Sequence, residues 1–343
     1  MAPGYRPTML THTVPSLGRH VSAIGLGTWQ LGADWGTVDE EEAFAVLDAA
    51  VESGVTLFDT ADVYGDGRSE QRIGRFLATR PGHGVLVATK MGRRLPQEPE
   101  SYTPENLRAW VDRSRRNLGV DTLDLVQLHC PPTAVLTDDA TYEALEELVA
   151  DGSIAAYGVS VETCDQALAA ITHPGVGSVQ IILNPFRLKP LEEVVPRAQQ
   201  AGVGILARVP LASGLLSGRY DASTTFAAND HRTYNRHGEA FDQGETFSGV
   251  PYDVGLAAVA DLAEALPDGV SLPAATLAWI ASRPGVSAAI PGARTAAQSA
   301  SNASALELLS DSGASAGFDV EAFDGVIRRV YDARLREFIH PRW

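Results

Sequence analysis

Lysine is nearly absent from this chain. Of its 27 basic residues only Lys90 and Lys189 are lysine, and the others are arginine. Arginine holds its proton at any working pH, so chemistry that asks for a titratable ammonium side chain has two places to find one. Cysteine is equally scarce, and Cys130 and Cys164 are too few for a disulfide scaffold. No run of about 18 apolar residues predicts a membrane span. The opening stretch, MAPGYRPTMLTHTVP, lacks the continuous apolar segment of a secretion signal, so the expected compartment is cytoplasmic. Positive charge is outweighed: 43 acidic residues give a formal net charge of -16 and a pI near 4.9. Such a surface repels phosphate backbones and anionic lipid, which argues against nucleic acid or a membrane as partner. A local basic pocket for a phosphorylated cofactor stays compatible with it. The eight histidines show no HxH or HExxH spacing, so no metal is expected.

What is present is alternation. Short apolar, β-branched runs begin near Ala23, Thr56, Val85, Asp124, Ile154, Ser178, Gly204 and Val286. Amphipathic stretches predict helices near 39–53, 69–79, 104–118, 139–151, 163–171, 191–201, 271–282 and 295–309, with start signals such as Thr103-Pro104-Glu105 and Asp138-Asp139. Eight strand-then-helix units predict a parallel sheet, and eight is the number that closes a (β/α)8 barrel. The 343 residues fit one such domain, 1–343. His12 to Ala23 reads as a β-hairpin turning at Ser16-Leu17-Gly18, suited to plug the barrel's N-terminal mouth. A last helix is expected at about 319–338. Between strands 7 and 8 lies an insertion near 212–265, polar but with several aromatics, of the kind that serves as a lid or binding loop.

The strand ends carry the chemistry. LFDTADVYGDGRSE delivers Asp59 and Tyr64, VLVATKMG delivers Lys90, and DLVQLHC delivers His129. Strand 5 ends at Ser160, strand 6 carries Gln180 and Asn184, and strand 7 ends at Arg208. In a closed barrel these positions share the C-terminal rim, the face where such folds do chemistry. Singly, each has a bland reading as a turn cap or a solvated rim group. Together they make an acid-base site. A tyrosine hydroxyl titrates near pH ~10 and is a sluggish acid at neutrality. A nearby ammonium stabilises the phenolate, so Lys90 is expected to lower the Tyr64 pKa, with Asp59 holding Lys90 charged and in place. His129 would hydrogen-bond a substrate carbonyl and orient it.

The chain resembles the aldo-keto reductases, from the IGLGTW segment containing Gly27, Thr28 and Trp29 through IPGARTAAQSASN. FDTADVYGDGRSE, VLVATKMG, LVQLHCPP, YGVS, the Gln180 and Asn184 pair and PLASGLLSG resemble that family's motifs in their order. The resemblance implies a catalytic tetrad of Asp59, Tyr64, Lys90 and His129, and hydride transfer between a reduced nicotinamide and a small carbonyl or alcohol substrate. It also implies cofactor binding without a Rossmann domain. Consistently, the one GxGxxA string, at Gly202 to Ala207, precedes and enters a strand instead of opening a helix. The pyrophosphate is better served by Pro210, Leu211, Ser213, Gly214, Leu216 and Gly218, whose segment lets backbone N–H groups approach an anion. Gly292 and Arg294 open a helix whose N-terminus favours phosphate. By resemblance Arg294 meets a 2′-phosphate while Gln298 and Asn302 meet adenine, hence NADP(H). Trp29, Trp35, Tyr64 and His129 are expected to line the substrate pocket.

Two positions depart from the family pattern. Val161 stands where an asparagine is common, leaving Ser160 and Gln180 to hold the carboxamide. Arg208 stands where an aromatic commonly stacks on the nicotinamide, so its charge is expected to disfavour the oxidised, cationic ring. The leading reading is an NADPH-dependent aldehyde or ketone reductase. Its rivals are an NADP-dependent sugar or hexulose oxidoreductase, and a cofactor-binding sensor or regulatory subunit without turnover.

Overall fold

A computed structural model describes residues 9–32, 38–228, 230–310 and 317–343; Trp35 lies outside the described residues. Two antiparallel strands come first, β1 (Thr11–Val14) and β2 (Arg19–Ser22), joined by a 3-10 turn at Pro15–Leu17. Gly18 closes that turn with φ of 57°, a left-handed conformation that glycine adopts without steric cost. Eight parallel strands follow: β3 (Leu26–Gly27), β4 (Leu57–Asp59), β5 (Leu86–Met91), β6 (Leu125–His129), β7 (Tyr157–Ser160), β8 (Val176–Ile182), β9 (Gly204–Arg208) and β10 (Val286–Ala289). They pair in chain order. The sheet then closes on itself: Gly25 N–H donates to Ala289 O at 2.8 Å and Gly27 N–H to Pro291 O at 2.9 Å, beside parallel bridges Ile24–Ala289 and Gly27–Gly292. This is the expected (β/α)8 barrel.

Side chains alternate along each strand, and this period of two builds the site. Leu57, Leu86, Ala88, Leu125, Leu206 and Ala288 form one buried cluster together with Val14 and Val21 of the hairpin, which caps that end of the barrel. Their strand neighbours Phe58, Val87 and Val126 belong to the larger outer cluster shared with the helices. Two residues beyond Leu57 stands Asp59; two beyond Leu125 and Ala88 stand Gln127 and Lys90; His129 follows Gln127 by two. The alternation that fills the barrel's lower interior with leucine therefore carries polar side chains to its upper mouth.

The helices follow the expected segments closely, and their caps explain why. Asp39 accepts from Glu42 N–H and Glu42 answers at the Asp39 N–H, a capping box that starts the helix Glu40–Glu52. Thr103 caps Pro104–Leu118 and Asp138 caps Asp139–Ala150. Three regions differ from expectation. The 295–309 segment is α-helical over Ala296–Ser304 and then tightens to a 3-10 helix, Ala305–Leu309. The 319–338 segment is helical over Val320–Val330, widens to a π-helical turn at Tyr331–Leu335 and resumes at Arg336–Ile339. The 212–265 insertion contains a regular helix, Tyr252–Glu264, that buries Gly255, Ala258, Val259 and Leu262. Spaced three, four and seven residues apart, those positions form one helical stripe, a pattern muted in sequence by small side chains. No helix among the described residues is long and apolar enough to cross a membrane.

Candidate active site

A cavity of about 940 Å³ opens at the C-terminal mouth of the barrel. Asp59, from the end of β4, and Lys90, from β5, form an ion pair at 2.7 Å with Lys90 only 1% exposed. The three Lys90 donors are all committed: to Asp59 Oδ1, to Thr60 O at 2.9 Å and to Tyr64 Oη at 3.2 Å. Gln180 Nε2, from β8, donates to the second Asp59 oxygen at 2.8 Å and to Gln127 Oε1 at 2.9 Å. The Asp59 carboxylate is thus gripped from two strands. The His129 ring stands 6.0 Å from the Tyr64 ring, nearly perpendicular to it. Its carbonyl is pinned by Arg93 Nε at 3.2 Å, and its buried Nδ1 has no partner among the described residues.

The electrostatics depart from expectation at Tyr64. Burial pushes its pKa up, and this outweighs the pull of Lys90 downward; the Asp59 charge adds to the rise. The expected net lowering does not occur, because a phenolate at this position would lose water that one already-paired ammonium does not replace. Tyr64 is therefore a neutral O–H donor. Burial opposes the charge on Lys90, but Asp59 and Tyr64 hold its pKa above the ordinary value. Burial, reinforced by Arg93, Lys90 and Arg208, drives His129 well below 6.5, so its imidazole is neutral.

Most of the expected contact residues reach the same cavity. Gly27, Thr28, Trp29, Ser160, Gln180, Arg208, Pro210, Leu211, Ser213, Gly214, Gly292, Arg294, Gln298 and Asn302 all line it beside Asp59, Tyr64 and His129. The Thr28 hydroxyl is turned away to Asp59 O at 2.8 Å and to Ser69. Leu216 and Gly218 do not belong to the lining. Leu216 is fully buried in the apolar core, because the 3-10 turn Ala212–Ser217 points it inward, and Gly218 caps that turn. Asn184 is structural, donating to Val209 O and Ser248 Oγ, both at 2.8 Å. At the far end of the cavity, Thr295 caps the helix Ala296–Ser304 and Gln298 Oε1 accepts from the Arg294 N–H at 2.8 Å.

Arg208 is not the free cation the sequence suggested. Its Nη2 donates to Glu162 Oε2 at 2.8 Å and to Val161 O at 3.0 Å, and its Nη1 pairs with Glu245 Oε1 at 2.6 Å. A guanidinium bracketed by two carboxylates is not the lone cation from which a bias against an oxidised cofactor was expected. Sequence reasoning missed Arg93, Glu162 and Glu245. Two had a local signal, Arg93 lying three residues after Lys90 and Glu162 two after Ser160. Glu245 had only its place in the flagged insertion. That insertion also supplies His231 and Phe241 to the cavity wall.

Residues 23–316 match the Aldo/keto reductase family. The chain is 31% identical to a D-threo-aldose 1-dehydrogenase of Pseudomonas over 60% of its own length and 72% of the relative's. Among solved structures it is similar to the glycerol dehydrogenase of Gluconobacter oxydans, with TM-score 0.75, 28% identity, and 95% and 96% of the two chains covered. It is also similar to a Klebsiella pneumoniae aldo-keto reductase in complex with NADPH, with TM-score 0.67, 25% identity, and 94% and 96% covered. These likenesses agree on one conclusion: the chain belongs to the aldo/keto reductase family of oxidoreductases.

Proposed function

We propose that this protein is an NADP(H)-dependent reductase of aldehydes or ketones, with Tyr64 as the proton donor. The observation that carries the reading is the Asp59–Lys90–Tyr64 chain of contacts opening onto the cavity beside His129. Because Lys90 donates to the Tyr64 oxygen, the phenol's own proton is left to point at a substrate. The neutral His129 offers a ring N–H to the same carbonyl oxygen, orienting it without adding a second positive charge. As negative charge grows on that oxygen, Tyr64 gives up its proton and Lys90 steadies the phenolate left behind. Asp59, held by Lys90 and Gln180, keeps the ammonium charged and aimed. The proton returns to Tyr64 from solvent.

The cavity fits the implied cofactor along its whole length: a polar catalytic end, a turn of small residues and a helix N-terminus flanked by arginine. Ser160, Gln180 and Arg208 would hold the nicotinamide end, Ser213 and Gly214 the pyrophosphate, and Arg294 with Gln298 and Asn302 the phosphorylated adenosine. NADPH, when bound, supplies the hydride. The test is Tyr64→Phe, followed by NADPH oxidation at 340 nm and by NADPH binding. Turnover is expected to fall by about 10²–10⁴ with affinity retained. Retained turnover would assign the proton to another group. Absence of turnover in the unaltered protein, with NADPH still bound, would favour the sensor reading instead.

A further inference from the structure

Resting on the reading of this cavity as a carbonyl-reducing site, we propose that Arg93 is the positioning residue of His129, fixing where the imidazole stands against Tyr64 by holding the peptide behind it. The imidazole has no anchor of its own. In a working histidine one ring nitrogen is commonly tied to a carbonyl or carboxylate, which sets the tautomer and the ring's rotation. In His129 the Nδ1 is buried and has no partner among the described residues. The ring meets Tyr64 edge-on, at 85° with 6.0 Å between centroids, a contact that rewards the right position without enforcing it. Where the ring stands is therefore decided by its backbone.

That backbone is under strain. Cys130, the next residue, has φ of 47°, in the left-handed region that a side chain opposes. Such a conformation persists only where the surroundings hold it from more than one side. The peptide joining His129 to Cys130 is held at both ends: its N–H donates to Ser160 O at 2.9 Å, and its carbonyl accepts from Arg93 Nε at 3.2 Å. Pro131 and Pro132 follow, and neither has an N–H with which to take the place of Arg93.

Arg93 is itself aimed by the end of β5. Gly92 has φ of 114°, and a Cβ there would come within 2.9 Å of the Tyr102 ring, a turn that favours glycine twice over. The Gly92 carbonyl accepts from Gln97 Nε2 at 2.7 Å. Beyond His129, the Arg93 guanidinium reaches Glu162 Oε1 only at 3.5 Å, while Glu162 Oε2 is committed to Arg208 at 2.8 Å. The shorter contact of Arg93 is the one to the His129 carbonyl. One strand end thus serves both halves of the site: Lys90 reaches Tyr64, and Arg93, three residues on, reaches His129. With Lys90 and Arg208, the Arg93 charge also adds to burial in keeping the imidazole neutral.

The experiment is a double-mutant cycle. With NADPH and the fastest of propanal, glyceraldehyde and benzaldehyde, kcat/KM is measured in the unaltered protein, Arg93→Met, His129→Gln and the double variant, alongside the NADPH dissociation constant. A reacting group displaced by about 1 Å costs up to about a hundredfold, so Arg93→Met should lower kcat/KM about 10–100-fold while NADPH affinity holds. In the His129→Gln background the same change should cost less than about threefold, because the group it positions is gone. Arg93→Lys keeps the charge and a donor for the carbonyl, and should fall between the unaltered protein and Arg93→Met. Should Arg93→Met fail to fold, Arg93→Lys carries the same cycle with an expected loss of about fivefold that again vanishes without His129. Equal losses in both backgrounds, no loss at all, or NADPH binding weakened as much as turnover would each overturn the proposal. Absence of turnover by the unaltered protein with every aldehyde is a different result, which removes the carbonyl-reductase reading and this inference with it.

Discussion

Replacing Lys90 by methionine removes an ammonium from a place where its counter-ion cannot reach water. The Lys90 and Asp59 side chains are 1% and 5% exposed. Breaking a buried ion pair by deleting one member costs about 3–5 kcal/mol, because the other charge stays buried alone. Gln180 still donates to Asp59 at 2.8 Å in the variant, which argues for the lower end, about 3 kcal/mol. Adding Asp59→Asn removes the stranded charge, so the double variant should regain most of that loss, about 2 kcal/mol. Activity should behave differently. Without the ammonium the phenolate of Tyr64 has no stabiliser, and turnover falls about 10²–10⁴ in the single and the double variant alike. The assay is urea unfolding at pH 7 beside NADPH oxidation for Lys90→Met, Asp59→Asn and the double variant. The reasoning is refuted if Lys90→Met costs under about 1 kcal/mol, or if the double variant is no more stable than Lys90→Met.

Further expectations follow from charge and packing. Asp62 is buried with neither carboxylate oxygen partnered among the described residues, and burial, helped by Glu70, raises it to about 7. Its folded pKa exceeds its unfolded value, so its stabilising effect is complete below pH ~4 and is lost as pH rises through about 7. Asp62→Asn should therefore gain a few kcal/mol over the unaltered protein at pH 8 and lose that gain at pH 4 in denaturant titrations. A gain independent of pH would exclude this account. Arg294→Ala should weaken NADPH binding about 10–100-fold and leave NADH binding nearly unchanged, as measured by fluorescence titration. An equal loss for both would place Arg294 away from the 2′-phosphate. Trp343→Ala should cost about 3–5 kcal/mol and speed proteolysis within 242–249, since Trp343 packs on Gly249 and bonds Asp242. Protease resistance equal to the unaltered protein would show that the segment holds itself.

How much of the active site was legible depended on the distance over which each signal acts. Asp59, Lys90 and His129 each sit at the end of an apolar alternating run, and that period carries them to the same mouth once the strands close. Tyr64 follows Asp59 within one turn-rich segment and could be read with it. Leu216 and Gly218 fall outside the cavity lining for the converse reason. A small-residue segment suggests an anion loop, but which side chains face the cavity depends on a 3-10 turn whose backbone at Ser213 and Gly214 adopts positive φ. The pull of Lys90 on the Tyr64 pKa was visible in sequence, whereas the burial that outweighs it was not.

By itself the amino-acid order determined the number and sequence of strands, the helix caps, and the delivery of acid, ammonium and imidazole to strand ends. All of these follow from local periodicity and local hydrogen bonding. Only the tertiary structure decided that Arg208 lies between Glu162 and Glu245, 46 and 37 residues away in the chain, and that Trp343 anchors the segment that brings Glu245 there. Ion pairing and desolvation are properties of what lies nearby in space. No local pattern records which distant carboxylate a folded arginine will meet, nor how much water a buried phenol will lose.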